Sequence, residues 1–229
     1  YIKLANTGLN YGTSTSLVID RESTDLQRAL LQFDLGAIPA NAIITSATLQ
    51  MQSTQIGGTL NINVYELLRS WTEGSGSGTA GVANWTQAVS GTNWTSAGGD
   101  FNATAAATLN TSSTGQHAWD LTSLVQAWVT GSKANNGVMI ASPDGGGNRT
   151  ATYDSSEGTT PPRLVISYTV PIPPVISMPG PQATRGDATL VLSGASAISV
   201  SDADSGVLQL NLSAAGGSIS LSGTAGLTF

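Results

Sequence analysis

Few residues in this 229-residue sequence are able to do chemistry, and their types bound what the chain can be. There is one histidine, His117, and no cysteine. A lone imidazole with no nucleophile motif beside it does not build an acyl-transfer or thiol site. Asp120 and Glu73 are carboxylates that a glycoside hydrolase would have to pair, and such a pair needs a defined separation across a cleft. No catalytic residue is therefore assigned. Binding chemistry is better represented. Trp85 and Trp94 lie in a polar loop segment, and with Tyr11 and Tyr153 they read as aromatic faces able to cover the apolar face of a pyranose. Arg28, Arg69, Arg149 and Arg163 offer guanidinium forks for acidic sugars. The expected carbohydrate-binding set is Trp85, Trp94, Tyr153 and Arg149. Asp202 and Asp204, two residues apart in Asp202-Ala-Asp204, can face one hard cation such as calcium, or form a solvated acidic turn.

Composition narrows the class. The sequence is 40% hydrophobic and only 10% charged, with 27 glycines. Scarce Lys and Glu beside abundant Gly, Ser, Thr and Asn is the balance of an all-β extracellular domain. The absence of cysteine rules out a disulfide-stapled scaffold and suits an exported prokaryotic protein. A net charge of −6 argues against nucleic acid as a partner. No apolar run reaches membrane-span length, so insertion into a membrane is not expected. Tyr1 and Phe229 both lie in strand-like sequence, and the chain reads as a segment of a longer polypeptide.

The elements that must position these residues are mostly strands. Leu31, Phe33 and Leu35 alternate with Gln32 and Asp34, and Pro39 interrupts the pattern. It resumes with Ile43, Thr45, Ala47, Leu49 and Met51 on one side, which predicts a hairpin across the Pro turn. Tyr1–Leu4 and Ser16–Asp20 are further strands. Gly57-Gly58 between Met51 and the Leu60, Ile62, Val64 alternation predicts a second hairpin. From 74 to 114 the pattern dissolves, and Trp71, Trp85, Trp94 and Phe101 are its expected anchors. Trp71, Trp119 and Trp128 read as core. The one helical signal runs from Trp119 to Gly131, with Leu121, Leu124, Val125 and Trp128 on one face. Asp120 or Thr122 can cap its start and Gly131 its end. Strands at 138–141 and 163–170 close the unit. Pro171–Pro181 reads as a stiff linker. Beyond it, four alternating segments at 189–192, 198–200, 207–212 and 219–221 predict half of a second sandwich, ordered only through a partner. Asn-X-Ser/Thr triplets occur at Asn84, Asn93, Asn102, Asn110, Asn148 and Asn211.

Taken in order, these stretches resemble the DNRLRE domain, also described as a carbohydrate-binding-module family and related to archaeal disaggregatase repeats. The resemblance is carried by Asn10-Tyr11-Gly12, Arg28 to Leu35 with Ile38-Pro39, Ser46-Ala47-Thr48-Leu49, Ser70-Trp71-Thr72-Glu73 and Gly98-Gly99-Asp100-Phe101. It continues in Asp120 to Trp128, Asn136-Gly137, Ser155-Ser156-Glu157 and Pro162-Arg163-Leu164. The chain departs from the family pattern around 74–97, where Gly-Ser-Gly-Ser-Gly dilutes it. The resemblance implies a jelly-roll-like sandwich of secreted polysaccharide-active or surface proteins, alginate as a ligand of some relatives, and calcium as a structural prop. It also implies packing roles for Asp120 and Glu73. Residues 182–229 resemble part of a cadherin-like or Ig-like bacterial surface repeat, through Val200 to Gly206 and Gly226 to Phe229.

The expectation is therefore all-β. A jelly-roll-like β-sandwich with one short helix occupies 1–170, a Pro-rich linker 171–181, and a partial second β-sandwich 182–229. The expected function is a non-catalytic, secreted or cell-surface carbohydrate-binding module of a prokaryotic protein, with polysaccharide as its partner. The alternative is a structural segment of an adhesin or fibre, joined to copies of itself by strand addition.

Overall fold

Period-2 alternation is realised as short strands along most of the first 170 residues. The computed structural model describes residues 1–229 apart from 144–146, 148, 187, 216, 222, 226, 227 and 229. Positions 144–146 of the Gly-rich turn, the triplet residue Asn148, and Gly226 and Phe229 of the tail motif lie outside the described residues. Two compact units are present, Tyr1–Val170 and Pro171–Phe229.

In chain order the first unit contains β1 (Ile2–Lys3), β2 (Leu9–Asn10), β3 (Ser16–Asp20), β4 (Gln27–Leu31), β5 (Ile43–Ile56), β6 (Leu60–Glu66) and β7 (Thr79–Ala80). Then follow β8 (Gln87–Val89), β9 (Thr92–Asn93), β10 (Ala107–Thr111), β11 (Gly115–Asp120), α1 (Thr122–Val129), β12 (Val138–Ala141), β13 (Thr150–Asp154) and β14 (Arg163–Thr169). One antiparallel path runs β10-β6-β12-β4-β3-β13-β5-β11, with β1 on β4 and β14 on β5. Its end strands β10 and β11 are consecutive and in contact, so the sandwich is nearly closed. This is the all-β class the alternation implies, arranged as the jelly-roll-like sandwich that the family resemblance implies.

Both hairpin expectations need correction. The strands either side of Pro39 do not pair, since β4 bonds to β12, β3 and β1 while β5 bonds to β11, β13 and β14. Nor do β5 and β6 pair across Gly57-Gly58, because β6 takes β10 and β12 as partners. Both edges of β5 are already filled, so the chain must cross to the other layer. Gly58, at φ 108°, lies in that crossing.

The side assignment of Ile43 also changes. Ile44 is buried while Ile43 is 52% exposed. Along the β5–β14 ladder Ser167 faces Ser46 but Tyr168 faces Ile44, so Thr45 is an extra residue on β5. Such a bulge shifts the alternation by one and turns every preceding side chain over. From Ala47 to Met51 the expected face is buried.

Between the layers lies the main core, in which Leu49, Met51, Ile62, Val64, Ile140 and Tyr153 meet Trp119. Helix α1 closes one end. Its Leu124, Val125 and Trp128, with Leu121 just before it, pack into that core as their spacing requires. Asp120 accepts hydrogen bonds from the Thr122 amide and hydroxyl, and Gly131, at φ 73°, ends the helix with its amide on the Trp128 carbonyl.

A second core covers the opposite face of β4 and β12. Leu30, Met139 and Ala141 are packed against Leu67, Ala83, Trp85, Ala88 and Trp94. The loop from 74 to 101 is therefore a third layer, and the expected anchors Trp71, Trp85, Trp94 and Phe101 all pack in or against this cluster. It is fixed by buried Asn10, which donates to the Ala83 carbonyl and accepts from the Gly12 and Gly76 amides.

In the second unit, the described strands are β15 (Val175–Ser177) and β16 (Ser199–Ser201), paired antiparallel. The expected linker thus contains a strand, and 207–212 and 219–221 form none among their described residues. A second sandwich is not seen. Among the described residues a single two-stranded ladder forms with no opposing layer, and Val191 and Val207 stay 67% and 88% exposed.

Candidate functional site

Loops at one part of the first unit meet to form a cleft. Residues 30–34 leave β4, 71–73 follow β6, 135 precedes β12, and 156–162 join β13 to β14. The cleft has a volume of about 520 Å³, within the range of roughly 300–1,000 Å³ typical of small-ligand sites. Its apolar wall is Leu31, Phe33, Trp71 and Pro162; its polar groups are Gln32, Asp34, Glu73, Asn135 and Ser156. A narrower recess sharing Trp71 and Glu73 continues it towards Tyr1, Tyr11 and Glu157.

Each wall is held in place. The Trp71 indole donates to the Asn136 carbonyl at 3.0 Å, which fixes the ring of this half-buried side chain. Asn135 donates to the Phe33 carbonyl at 2.9 Å, and Gln32 donates to the Asn135 carbonyl at 3.1 Å. Tyr1 and Tyr11 stack with centroids 4.5 Å apart and planes 13° from parallel. Asn6 donates to the Tyr11 hydroxyl.

The charge of the cleft is acidic. Glu73 stands at the rim with its pKa raised, chiefly by partial desolvation and then by neighbouring Glu157. Glu157 accepts from the Ser155 and Ser156 hydroxyls. Flat aromatic surface beside amide and carboxylate groups is the chemistry that holds a sugar ring by its face and its hydroxyls.

The expected site residues fall elsewhere. Trp85 and Trp94 are 5% and 4% exposed, and Tyr153 is fully buried. None offers the open face that stacking requires, and the expectation of exposure is corrected for all three. Trp85 is covered by Arg28, whose guanidinium carbon lies 4.9 Å from the ring centroid, and the Trp94 indole donates to the Asn84 carbonyl. The Tyr153 hydroxyl hydrogen-bonds His117 Nδ1 at 2.8 Å inside the main core, and burial raises its pKa strongly. Arg149 is exposed and donates to the Thr59 carbonyl, away from the cleft. Of the aromatic residues weighed for sugar, Tyr11 alone borders the recess. Trp71, assigned to the core, packs on its edge and also walls the cleft. The signal that could have found it is its position at the boundary where strand alternation gives way to loop, with Glu73 two residues on.

Asp202 and Asp204 accept backbone amides. Asp202 takes those of Asp204 and Ser205, and Asp204 that of Ile172. Among the described residues no group of three or more His, Cys, Asp or Glu side chains is arranged to hold a metal ion. Asp202 thus braces the turn that follows it, and Asp204 ties it to the segment at Ile172. Among the described residues no helix is long and apolar enough to cross a membrane.

The class that the family comparison defines is that of the carbohydrate-binding modules. The chain belongs to carbohydrate-binding module family 96, whose model matches residues 1–168. No curated protein matches the sequence.

Proposed function

We propose that this chain is a non-catalytic extracellular module that holds a larger prokaryotic protein on a polysaccharide, with the cleft around Trp71 as its binding site. The observation that carries this reading is the juxtaposition of Trp71 and Phe33 with Gln32, Asp34, Glu73 and Asn135 in a sugar-sized cleft. Family membership supports carbohydrate as the ligand. A binding role without turnover is supported by membership of a carbohydrate-binding-module family. Glu73 lines this cleft, whereas Asp120 lines a separate groove beside α1, so they do not face each other across one bond to be cleaved.

The test is retention of the 229-residue chain on immobilised polysaccharides. Trp71→Ala should weaken retention by roughly 30-fold, about 2 kcal/mol, as for a central aromatic anchor. Trp71→Phe, which keeps an aromatic face and the fold, should keep most of it. Unchanged retention in Trp71→Ala places the site elsewhere. Release of reducing sugar by the wild type, abolished in Glu73→Gln, would overturn the non-catalytic reading.

A further inference from the structure

The groove beside α1 is larger than the cleft, about 680 Å³ against about 520 Å³. Small apolar side chains form its floor, among them Ala107 at the start of β10 and Leu124 and Ala127 of α1. Its exposed rim is polar, with Thr104, Thr108, Asp120, Ser123 and Lys133. One loop separates groove from cleft. Lys133 lines the groove and Asn135 the cleft, and two Cα steps set them no more than about 7 Å apart. That loop leads into β12, which lies between β6 and β4, and it is braced on both sides. Towards the cleft, Asn135 donates to the Phe33 carbonyl and the Trp71 indole donates to the Asn136 carbonyl. Towards the groove, the Lys133 ammonium donates to Glu66 at 2.6 Å and its amide to the Ala127 carbonyl at 3.1 Å. Glu66 is only 6% exposed, so its carboxylate is an anchor withdrawn from water. An ammonium carries three donors, and with one spent on Glu66 two are left for ligand oxygens.

We infer that the groove is a second set of sugar subsites, and that one polysaccharide chain runs from the cleft across the 133–135 loop into it. This rests on the carbohydrate-binding reading of the cleft, and it makes the ligand an extended stretch of polymer, not a free short sugar. The two concavities differ in what they offer. The cleft has the aromatic surface of Trp71 and Phe33. In the groove the one aromatic side chain, Trp119, is 2% exposed and presents no face for stacking. It can contribute hydroxyl, carboxylate and ammonium hydrogen bonds over a floor of methyl groups. Such contacts are weak for a free sugar, which must also lose its translational and rotational freedom. For a chain already held in the cleft that loss has been met, and the groove acts at a high effective concentration of sugar.

The experiment is calorimetric titration of the 229-residue chain with soluble oligosaccharide ladders of alginate, xylan and laminarin, from dimers to decamers. It compares the wild type with Trp71→Ala and with the double variant Ala106→Leu, Ala118→Leu. Ala106 and Ala118 are exposed residues lining the groove, so two leucines fill it without entering either core. On the ladder that binds, wild-type affinity should keep rising with length, by about tenfold beyond the shortest binding oligosaccharide, the scale of one or two net hydrogen bonds. The double variant should hold the short oligosaccharides as the wild type does and lose that tenfold on the long ones. Trp71→Ala should weaken every length. A wild-type affinity that does not rise with length, or one that rises equally in the double variant, overturns the groove and leaves the cleft as the site. Wild-type affinity in a folded Trp71→Ala removes the cleft and the inference with it, and so does a panel in which no ladder binds.

Discussion

His117 holds its imidazole between the Tyr153 hydroxyl at 2.8 Å, the Ser113 carbonyl at 3.0 Å and the Thr111 hydroxyl at 3.2 Å. It is 7% exposed, and burial lowers its pKa below the usual 6.5, against the Ser113 carbonyl. The folded chain therefore resists a proton that the unfolded chain accepts. Stability should be constant above about pH 7 and decline as pH falls through 6.5, the unfolded value, levelling only below the depressed folded value. Melting temperatures from pH 8 to 5 check this, and His117→Gln should flatten that decline. Trp85 and Trp94 are core residues at this scale too. Trp85→Ala and Trp94→Ala should each cost roughly 3–5 kcal/mol in denaturant titration, as should Trp128→Ala. A cost below 1 kcal/mol for Trp85 or Trp94 would mean the third layer is not packed as described.

At the scale of elements, the loop over β4 and β12 depends on backbone packed directly against backbone. A Cβ on Gly74 would sit 1.7 Å from the Val82 carbonyl oxygen, and one on Gly12 would sit 1.7 Å from that of Gly74. These are contacts with main chain, which cannot swing aside. Gly74→Ala should cost roughly 1–3 kcal/mol or more by overpacking. Gly131 meets nothing within 4 Å, and its cost comes from φ alone, so Gly131→Ala should lose about 1 kcal/mol. A larger loss at Gly131 than at Gly74 would contradict the loop's packing. The two close approaches also give a physical reason for the Asn10-Tyr11-Gly12 motif. Its Asn bonds across the gap, its Tyr borders the recess, and its Gly lets the chains touch.

At the scale of the molecule, the two units differ in how much apolar surface they cover. The first has two buried cores. The second leaves Val175, Met178, Val191 and Val207 more than half exposed. Residues 1–170 expressed alone should therefore melt at the same temperature as the whole chain and retain the same glycans. A drop of several degrees would show that the first unit draws stability from the second. In hydrogen exchange on a proven monomer, amides of 207–215 should be unprotected, because no strand forms among these residues. Strong protection would overturn this, and protection that grows with concentration would favour strand addition between copies.

Side-chain periodicity by itself determined the all-β class, through period-2 alternation, and the buried face of α1, through its i, i+3, i+4, i+7 spacing, because periodicity depends only on local geometry. Which strands pair was not legible. The segments around Pro39 and Gly57 look like hairpins locally, and only the filled edges of β5 send them apart. The bulge at Thr45 was hidden for the same reason, since register is set by the neighbour strand and not by the run itself. Tryptophans in a Gly- and Ser-rich loop look exposed in the sequence, yet Trp85 and Trp94 are buried. That loop becomes a packed layer only when the outer face of β4 and β12 needs cover, as the unbroken apolar run Val138-Met-Ile-Ala141 hinted. Covering it buried Trp85 and Trp94 and left Trp71 at the edge, where tertiary structure alone brings it beside Phe33, Glu73 and Asn135.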